Sequence, residues 1–220
     1  MHYQPHNYQQ QATTFIQEHP QAAILLGMGL GKTIITLTAI WGLLLDTFQA
    51  RRVLVIAPLR VARDTWPAEV EKWDHLDGLT VAVAVGTRQQ RLDALAAGAM
   101  VTVINRENIG WLVKTLGGQW PFDMVVIDEL SSFKNHRAAR FKALSSVRPR
   151  IHRIVGLTGT QAANGLEDLW AQFKLLDGGE RLGRYITRYR ERWFTPDRRN
   201  GMQVFSYKPR PGAEAEIYEA

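Results

Sequence analysis

Short apolar runs rich in β-branched residues alternate along the chain with longer segments in which apolar positions return every three or four residues. The runs predict strands at Ala22–Leu26, Val53–Ala57, Thr80–Val85, Met100–Ile104, Met124–Ile127 and Arg153–Leu157. The segments between them predict helices at Lys32–Leu45, Trp66–Trp73, Arg88–Ala97, Glu107–Leu116, Arg137–Val147 and Leu166–Leu176. Because the strands are continuously apolar instead of alternating, both faces of their sheet must be covered. Strands separated by helices then predict a doubly wound α/β domain with a mainly parallel sheet, whose ligands sit at the carboxyl ends of the strands.

The pattern changes after about residue 178. Gly178-Gly179 ends the last helix, an Arg-rich stretch follows, and Asn200-Gly201 between Arg192–Arg199 and Met202–Lys208 predicts a hairpin. Pro211-Gly212 then leads into Ala213–Ala220, which reads as the first turns of a helix without a stop signal. Residues 1–178 are therefore expected to form one domain, and 179–220 a basic extension with a hairpin, leading toward further chain.

Composition narrows the classes. The 220 residues suffice for a buried core, and 45% hydrophobic with 22% charged residues is ordinary for a globular domain. The absence of cysteine excludes a disulfide scaffold and a zinc ribbon and suits a reducing cytoplasm. The polar amino terminus is no secretion signal, and the apolar run from Ile34 to Leu45 is too short to span a bilayer, so no membrane partner is expected. A net charge of +6 suits an anionic partner. No acidic residue occurs from Leu130 to Leu166, where Lys134, Arg137, Arg140, Lys142, Arg148, Arg150 and Arg153 fall; this run either faces nucleic acid or is a solvated surface. Tryptophans 66, 73, 111, 120 and 170 lie along helical segments, as packing residues do, and the six histidines show no metal-ligand spacing.

The strongest local chemistry is Gly27-Met28-Gly29-Leu30-Gly31-Lys32-Thr33, set between a strand and a helix. Glycines let successive backbone N–H groups converge on phosphate oxygens, and the following helix adds its positive end. Lys32 would reach the β- and γ-phosphates of ATP, and the Thr33 hydroxyl would ligate Mg2+. Leu26 stands where the general phosphate-loop pattern has its first glycine, a position that the helicase variant relaxes. The second signal is Asp128-Glu129, at the end of an apolar strand and 96 positions beyond Lys32. There the aspartate can hold the magnesium shell and the glutamate can act as general base on the attacking water.

Together these motifs resemble the first RecA-like domain of Swi/Snf-related, superfamily-two helicase-like ATPases, particularly those of phages and prophages. Tyr8-Gln9 is similar to the upstream glutamine motif that reads the adenine edge, and Gly27–Thr33 to motif I. Val55–Arg60, followed by Trp66 and Trp73, resembles motif Ia, a contact with the DNA backbone. Asp128-Glu129-Leu130-Ser131-Ser132-Phe133-Lys134-Asn135 resembles motif II. Leu157-Thr158-Gly159-Thr160 resembles motif III, which couples nucleotide state to DNA contacts; Asn164 and Leu166–Trp170 match the segment after it. The resemblance implies a RecA-like P-loop NTPase fold, ATP and Mg2+ as cofactors, and Lys32, Asp128 and Glu129 as the catalytic set. It further implies Gln9 and Gly27–Thr33 around ATP, Thr158, Gly159 and Thr160 as the coupling segment, and Arg60, Lys134 and Asn135 toward duplex DNA. A second RecA-like domain carrying transition-state arginines completes the family's active site; its motifs are not in these 220 residues.

Three positions depart from the family pattern. Gly27 stands where an acidic residue is usual, Ser131 replaces the motif II histidine, and Gln161 replaces a proline. The same residues leave open a non-enzymatic nucleotide-sensing or DNA-binding module that docks on a partner. A small-molecule kinase fits less well, since it gives no account of Thr158-Gly159-Thr160.

Overall fold

The alternation of apolar runs and helices builds a six-stranded sheet in the computed structural model, which describes residues 1–159, 165–200 and 203–220. In chain order the elements begin with α1 (Asn7–Glu18), β1 (Gln21–Leu25), α2 (Lys32–Trp41), β2 (Val53–Ala57) and α3 (Trp66–Lys72). They continue with β3 (Val81–Ala84), α4 (Arg88–Ala96), β4 (Val101–Asn105), α5 (Ile109–Leu116), β5 (Met124–Asp128), α6 (Ala139–Val147), β6 (Arg153–Thr158) and α7 (Leu169–Asp177). The last elements are α8 (Ile186–Trp193), the hairpin of β7 (Phe194–Asn200) and β8 (Gln203–Pro209), and α9 (Ala213–Glu219).

The sheet order is β1-β6-β5-β2-β4-β3, and every neighbouring pair is parallel. The two faces divide the strand residues between two cores. Val53, Val55, Ala57, Val126 and Leu157 pack beneath α1, α2 and α3 with Ile16, Ile35 and Trp66. Leu54, Ile56, Val125, Ile127 and Ile154 pack against α5, α6 and α7 with Leu112, Leu144 and Leu175. The strands are apolar at consecutive positions because both faces are buried, as expected. Leu182, Tyr189, Trp193, Ala213 and Ile217 join the second core, which seats the start of the extension against α7. Tyr189 donates to the Leu166 carbonyl at 2.7 Å and Trp170 to that of Gly183 at 2.9 Å, fixing this seat.

Some boundaries differ from expectation for visible reasons. The helix expected through Leu45 is α-helical only to Trp41 and continues as a π-turn over Gly42–Asp46. A second π-turn, Val61–Thr65, runs into α3. The helix expected from Arg137 begins at Ala139, because the Asn135 side chain accepts the Arg137 N–H at 2.9 Å and holds a turn there. Residues expected as the first hairpin strand are helical up to Trp193, where Ile186, Tyr189 and Trp193 line one face. Among the described residues no helix is long and apolar enough to cross a membrane.

Candidate nucleotide site and nucleic-acid interface

Parallel pairing places the chemistry. Leu25 of β1 lies level with Thr158 of β6, and Leu157 with Asp128 of β5. Three adjacent strands therefore deliver the phosphate loop, the threonine and the acidic pair to one edge. With neighbouring strands about 4.8 Å apart, β1 and β5 lie about 10 Å apart, a span that a magnesium-bound triphosphate bridges.

Gly29 and Gly31 both have φ of 77°, the left-handed region that side chains disfavour. A Cβ at Gly31 would fall 2.6 Å from Gln9 Nε2, so glycine there also makes room for the Gln9 amide. The Lys32 ammonium donates to the carbonyls of Leu26 and Gly27 at 2.8 and 2.9 Å, which leaves one of its three donors for a phosphate. Thr33 follows in the first turn of α2, and its hydroxyl makes no hydrogen bond among the described residues. Met28 and Leu30 are exposed on the outside of the loop.

The amino-terminal segment walls the loop on one side. Helix α1 brings Gln9 under Gly31, where its Oε1 accepts the His6 N–H at 2.9 Å. Tyr8 donates to the Leu30 carbonyl at 3.3 Å. Tyr3 stacks on His75 at 5.1 Å and meets Trp73 edge-on at 5.3 Å, while the terminal amine donates to the Lys72 carbonyl. Between these groups and the loop lies a cleft of about 530 Å³ lined by Tyr3, His6, Gln9, Gly29, Gly31 and Trp73. Its size and aromatic rim suit a nucleobase. A hollow of about 580 Å³ at the opposite edge of the sheet, beside Arg51 and Arg52, lies far from this chemistry. There the Asp123 carboxylate is held by the Arg51 and Arg52 backbone N–H groups.

Burial pushes the Asp128 carboxyl above its usual range, and the neighbouring Glu129 charge adds to this. The Trp66 indole, fully buried and donating to Asp128 Oδ2 at 2.9 Å, acts in the opposite sense, as does the Lys32 charge. Lys32 is thus near enough to Asp128 for the two charges to interact. Trp66 packs in the core as its helical position implies; its link to Asp128 is the part that helical spacing does not reveal.

Glu129 adopts φ 66° and ψ 66°, a left-handed conformation costing on the order of 1 kcal/mol outside glycine. Leu130, wedged against Gly156, anchors the turn, since a Cβ on Gly156 would lie 2.6 Å from Leu130 Cδ2. Glu129 Oε1 accepts hydrogen bonds from the hydroxyls of Ser131 and, at 3.4 Å, Thr158. The Ser131 contact occupies the position at which the family pattern has histidine, and motif spacing gave no sign of it. Thr158 also accepts the Leu26 N–H on its carbonyl at 3.2 Å, so it touches the phosphate loop and the acidic pair at once. Gly159 lies beside Leu26 and Met28, whereas Thr160 and Asn164 fall outside the described residues.

The donors fit a hard divalent cation. A threonine hydroxyl and a desolvated carboxylate are oxygen ligands of the kind Mg2+ takes alongside phosphates and water. No group of three or more His, Cys, Asp or Glu side chains converges among the described residues, so no metal cage independent of nucleotide is formed by them.

Arg60 is exposed at the carboxyl end of β2, while Lys134 and exposed Asn135 follow β5 through the turn Leu130–Phe133. All three leave the same edge of the sheet, but no hydrogen bond or ion pair joins Arg60 to the other two among the described residues. The acid-free run does not form one basic surface. Arg148 donates to the carbonyls of Leu175, Leu176 and Ile151, and buried Arg153 to those of Ile16 and Gln17. Burial holds both guanidinium groups below their usual range, and both tie elements together instead of facing outward.

The sequence model of the SNF2-related domain family matches residues 8–195. Protein p41 of Acyrthosiphon pisum secondary endosymbiont phage 1 is 38% identical over 219 residues, covering 97% of this chain and 48% of its own length. An uncharacterized ATP-dependent helicase of Mycoplasma genitalium is 30% identical over 153 residues, covering 66% of this chain and 14% of its own. The Sulfolobus solfataricus SWI2/SNF2 ATPase core, solved in complex with dsDNA, superposes with a TM-score of 0.74 at 21% identity, covering 87% of this chain and 39% of that one. That likeness speaks to the fold, and the chain spans about half the length of the phage relative. With the family model covering most of its length and the motifs seated as above, the chain belongs to the SNF2-related domain family.

Proposed function

We propose that this chain is the ATP-binding module of a DNA-dependent ATPase of the Swi/Snf type, a helicase-like translocase whose full hydrolysis requires a second RecA-like domain. The observation that carries the reading is the convergence of β1, β6 and β5, which sets Lys32, Thr158 and the Asp128-Glu129 pair along one edge. Residues 1–178 form the nucleotide-binding unit in this reading, and 179–220 lead toward the second domain. DNA binding draws support from the family and from Arg60, Lys134 and Asn135 on the same edge.

Each residue has a task set by its chemistry. Gln9 reads the base edge with an amide that both donates and accepts. The backbone N–H groups of Gly27–Thr33 cradle the phosphates, and Lys32 gives its remaining donor to a phosphate oxygen. Thr33 and Asp128 would hold Mg2+, whose charge would offset that of the triphosphate. Glu129, with one oxygen held by Ser131 and Thr158, keeps the other to take a proton from the attacking water. Thr158, in contact with both the loop and Glu129, relays nucleotide state toward Gly159, Thr160 and the DNA-facing residues.

Lys32→Ala tests the binding half. A charge-assisted hydrogen bond to a buried anion contributes about 1.5–3 kcal/mol, so the variant should bind a fluorescent ATP analogue roughly 10- to 100-fold more weakly in an equilibrium titration. Unchanged affinity would overturn the phosphate-loop assignment.

A further inference from the structure

A cleft of about 440 Å³ lies between the segment after the acidic pair and the extension, outside the nucleotide site. Lys134, Asn135 and Arg137 line it from the domain, and Phe205 and Tyr207 from β8. Most of its charges are already matched. Glu167 is paired with Arg190, and Asp168 lies 3.5 Å from Lys134. Arg190 also lies over the Tyr207 ring at 4.5 Å, so Arg190 and Tyr207 together form a fixed wall. Among the described residues Arg137 forms no ion pair, and it is exposed. With Lys134, Arg137 and Arg190 against Glu167 and Asp168, the cleft carries a net charge of +1.

Phe205 is the unusual member. The residue is 62% exposed although it borders this cleft. The hairpin explains the placement: Arg198 pairs with Ser206 and Arg199 with Val204, so Phe205 is the residue between them with no partner in register. A bulge of this kind re-aims a side chain out of the ladder. The hairpin thus presents an exposed apolar residue to the same cleft that the Arg137 side chain lines, and among the described residues that guanidinium has no ion pair.

An aromatic face next to a cation matches one chemical partner closely, a base with its own phosphate. In a duplex the base faces are covered by their neighbours, so only an unpaired nucleotide can offer one to Phe205. We infer that the β7–β8 hairpin forms a single-strand site, with one unpaired DNA base stacked on Phe205 and its phosphate at Arg137. This rests on the DNA-binding reading above and extends it to a strand and a surface that the nucleotide motifs do not specify.

The test uses the whole chain and a 12-nucleotide oligothymidylate carrying a central 2-aminopurine, with a fluorescein-labelled duplex of equal length as control. Phe205→Ala should weaken single-strand binding about tenfold, leave duplex binding unchanged, and leave the salt dependence of single-strand binding as it is. Phe205→Trp should restore the affinity. Arg137→Ala should instead reduce the slope of log affinity against log salt by about 0.7. Since Phe205 is exposed, its truncation does not threaten the fold. If Phe205→Ala binds the single strand as tightly as the parent, or loses duplex binding equally, the hairpin site is wrong. If the parent binds duplex and no single strand, the hairpin site falls and the DNA-binding reading stands. If the parent binds neither, the hairpin site and the DNA-binding reading both fall.

Discussion

Adding a second RecA-like domain that carries transition-state arginines should raise the ATP turnover of this chain by about 10³- to 10⁵-fold, the range that such residues supply in phosphoryl transfer. The expectation follows from what the site holds and where it opens. Lys32, Thr33, Asp128 and Glu129 stand on the carboxyl edge of the sheet, and in the proposed function they would supply phosphate binding, metal ligation and water activation. Among the described residues, no arginine side chain contacts any of these groups; Arg148 and Arg153 are engaged with backbone carbonyls elsewhere. The edge itself is left open, with Leu25, Met28 and Leu30 exposed at the loop and Leu59 exposed after β2. Steady-state phosphate release, with saturating DNA and with or without the second domain supplied in trans or by fusion, measures the effect. Fast DNA-stimulated turnover by the 220 residues alone would contradict it.

Glu129→Gln should lower the hydrolysis rate of the two-domain enzyme by about 10² to 10⁴, the usual contribution of a general base, while ATP affinity stays within about threefold. The substitution keeps volume and keeps an oxygen that can accept from Ser131 and Thr158, so the left-handed turn at Glu129 remains held. What it removes is the basic oxygen available to water. Single-turnover hydrolysis of pre-bound ATP separates the two effects, because binding is complete before the clock starts. Normal single-turnover rates would show that another group takes the proton.

Much of this was legible in the residues. The six strands came from continuous apolar runs, and Val53–Ala57 was placed without error because its ends are set by Arg52 and by Pro58. Helix α1 escaped notice because Asn7–Glu18 is mostly polar and buries only Gln9 and Ile16; tertiary contact with α2, not periodicity, makes it a helix. Helix α8 did carry a signal, Ile186, Tyr189 and Trp193 on one face, but five arginines nearby masked it. Strand order was out of reach because it is a non-local property: β1 and β6 pair across more than 120 residues. For the proposed site, motif spacing named Lys32, Asp128 and Glu129, and parallel pairing places all three at one end of the sheet. Tyr3, Trp66 and Ser131 were missed as site residues because their part depends on contacts made only after folding. Trp66 is 62 positions from the carboxylate it holds. Thr160, expected in the coupling segment, lies outside the described residues and gains nothing from the geometry.

In the proposed function the phosphate loop and the acidic pair act on one metal-bound nucleotide. The most direct test of this is the gain in ATP affinity on adding Mg2+, measured by calorimetry for the parent chain and for Asp128→Asn. The parent should bind ATP more tightly with Mg2+ than with a chelator, and the variant, which keeps the loop and the Trp66 contact, should lose most of that gain. An equal gain in both proteins would mean that Asp128 does not share the metal with the nucleotide, and the proposed site would have to be abandoned.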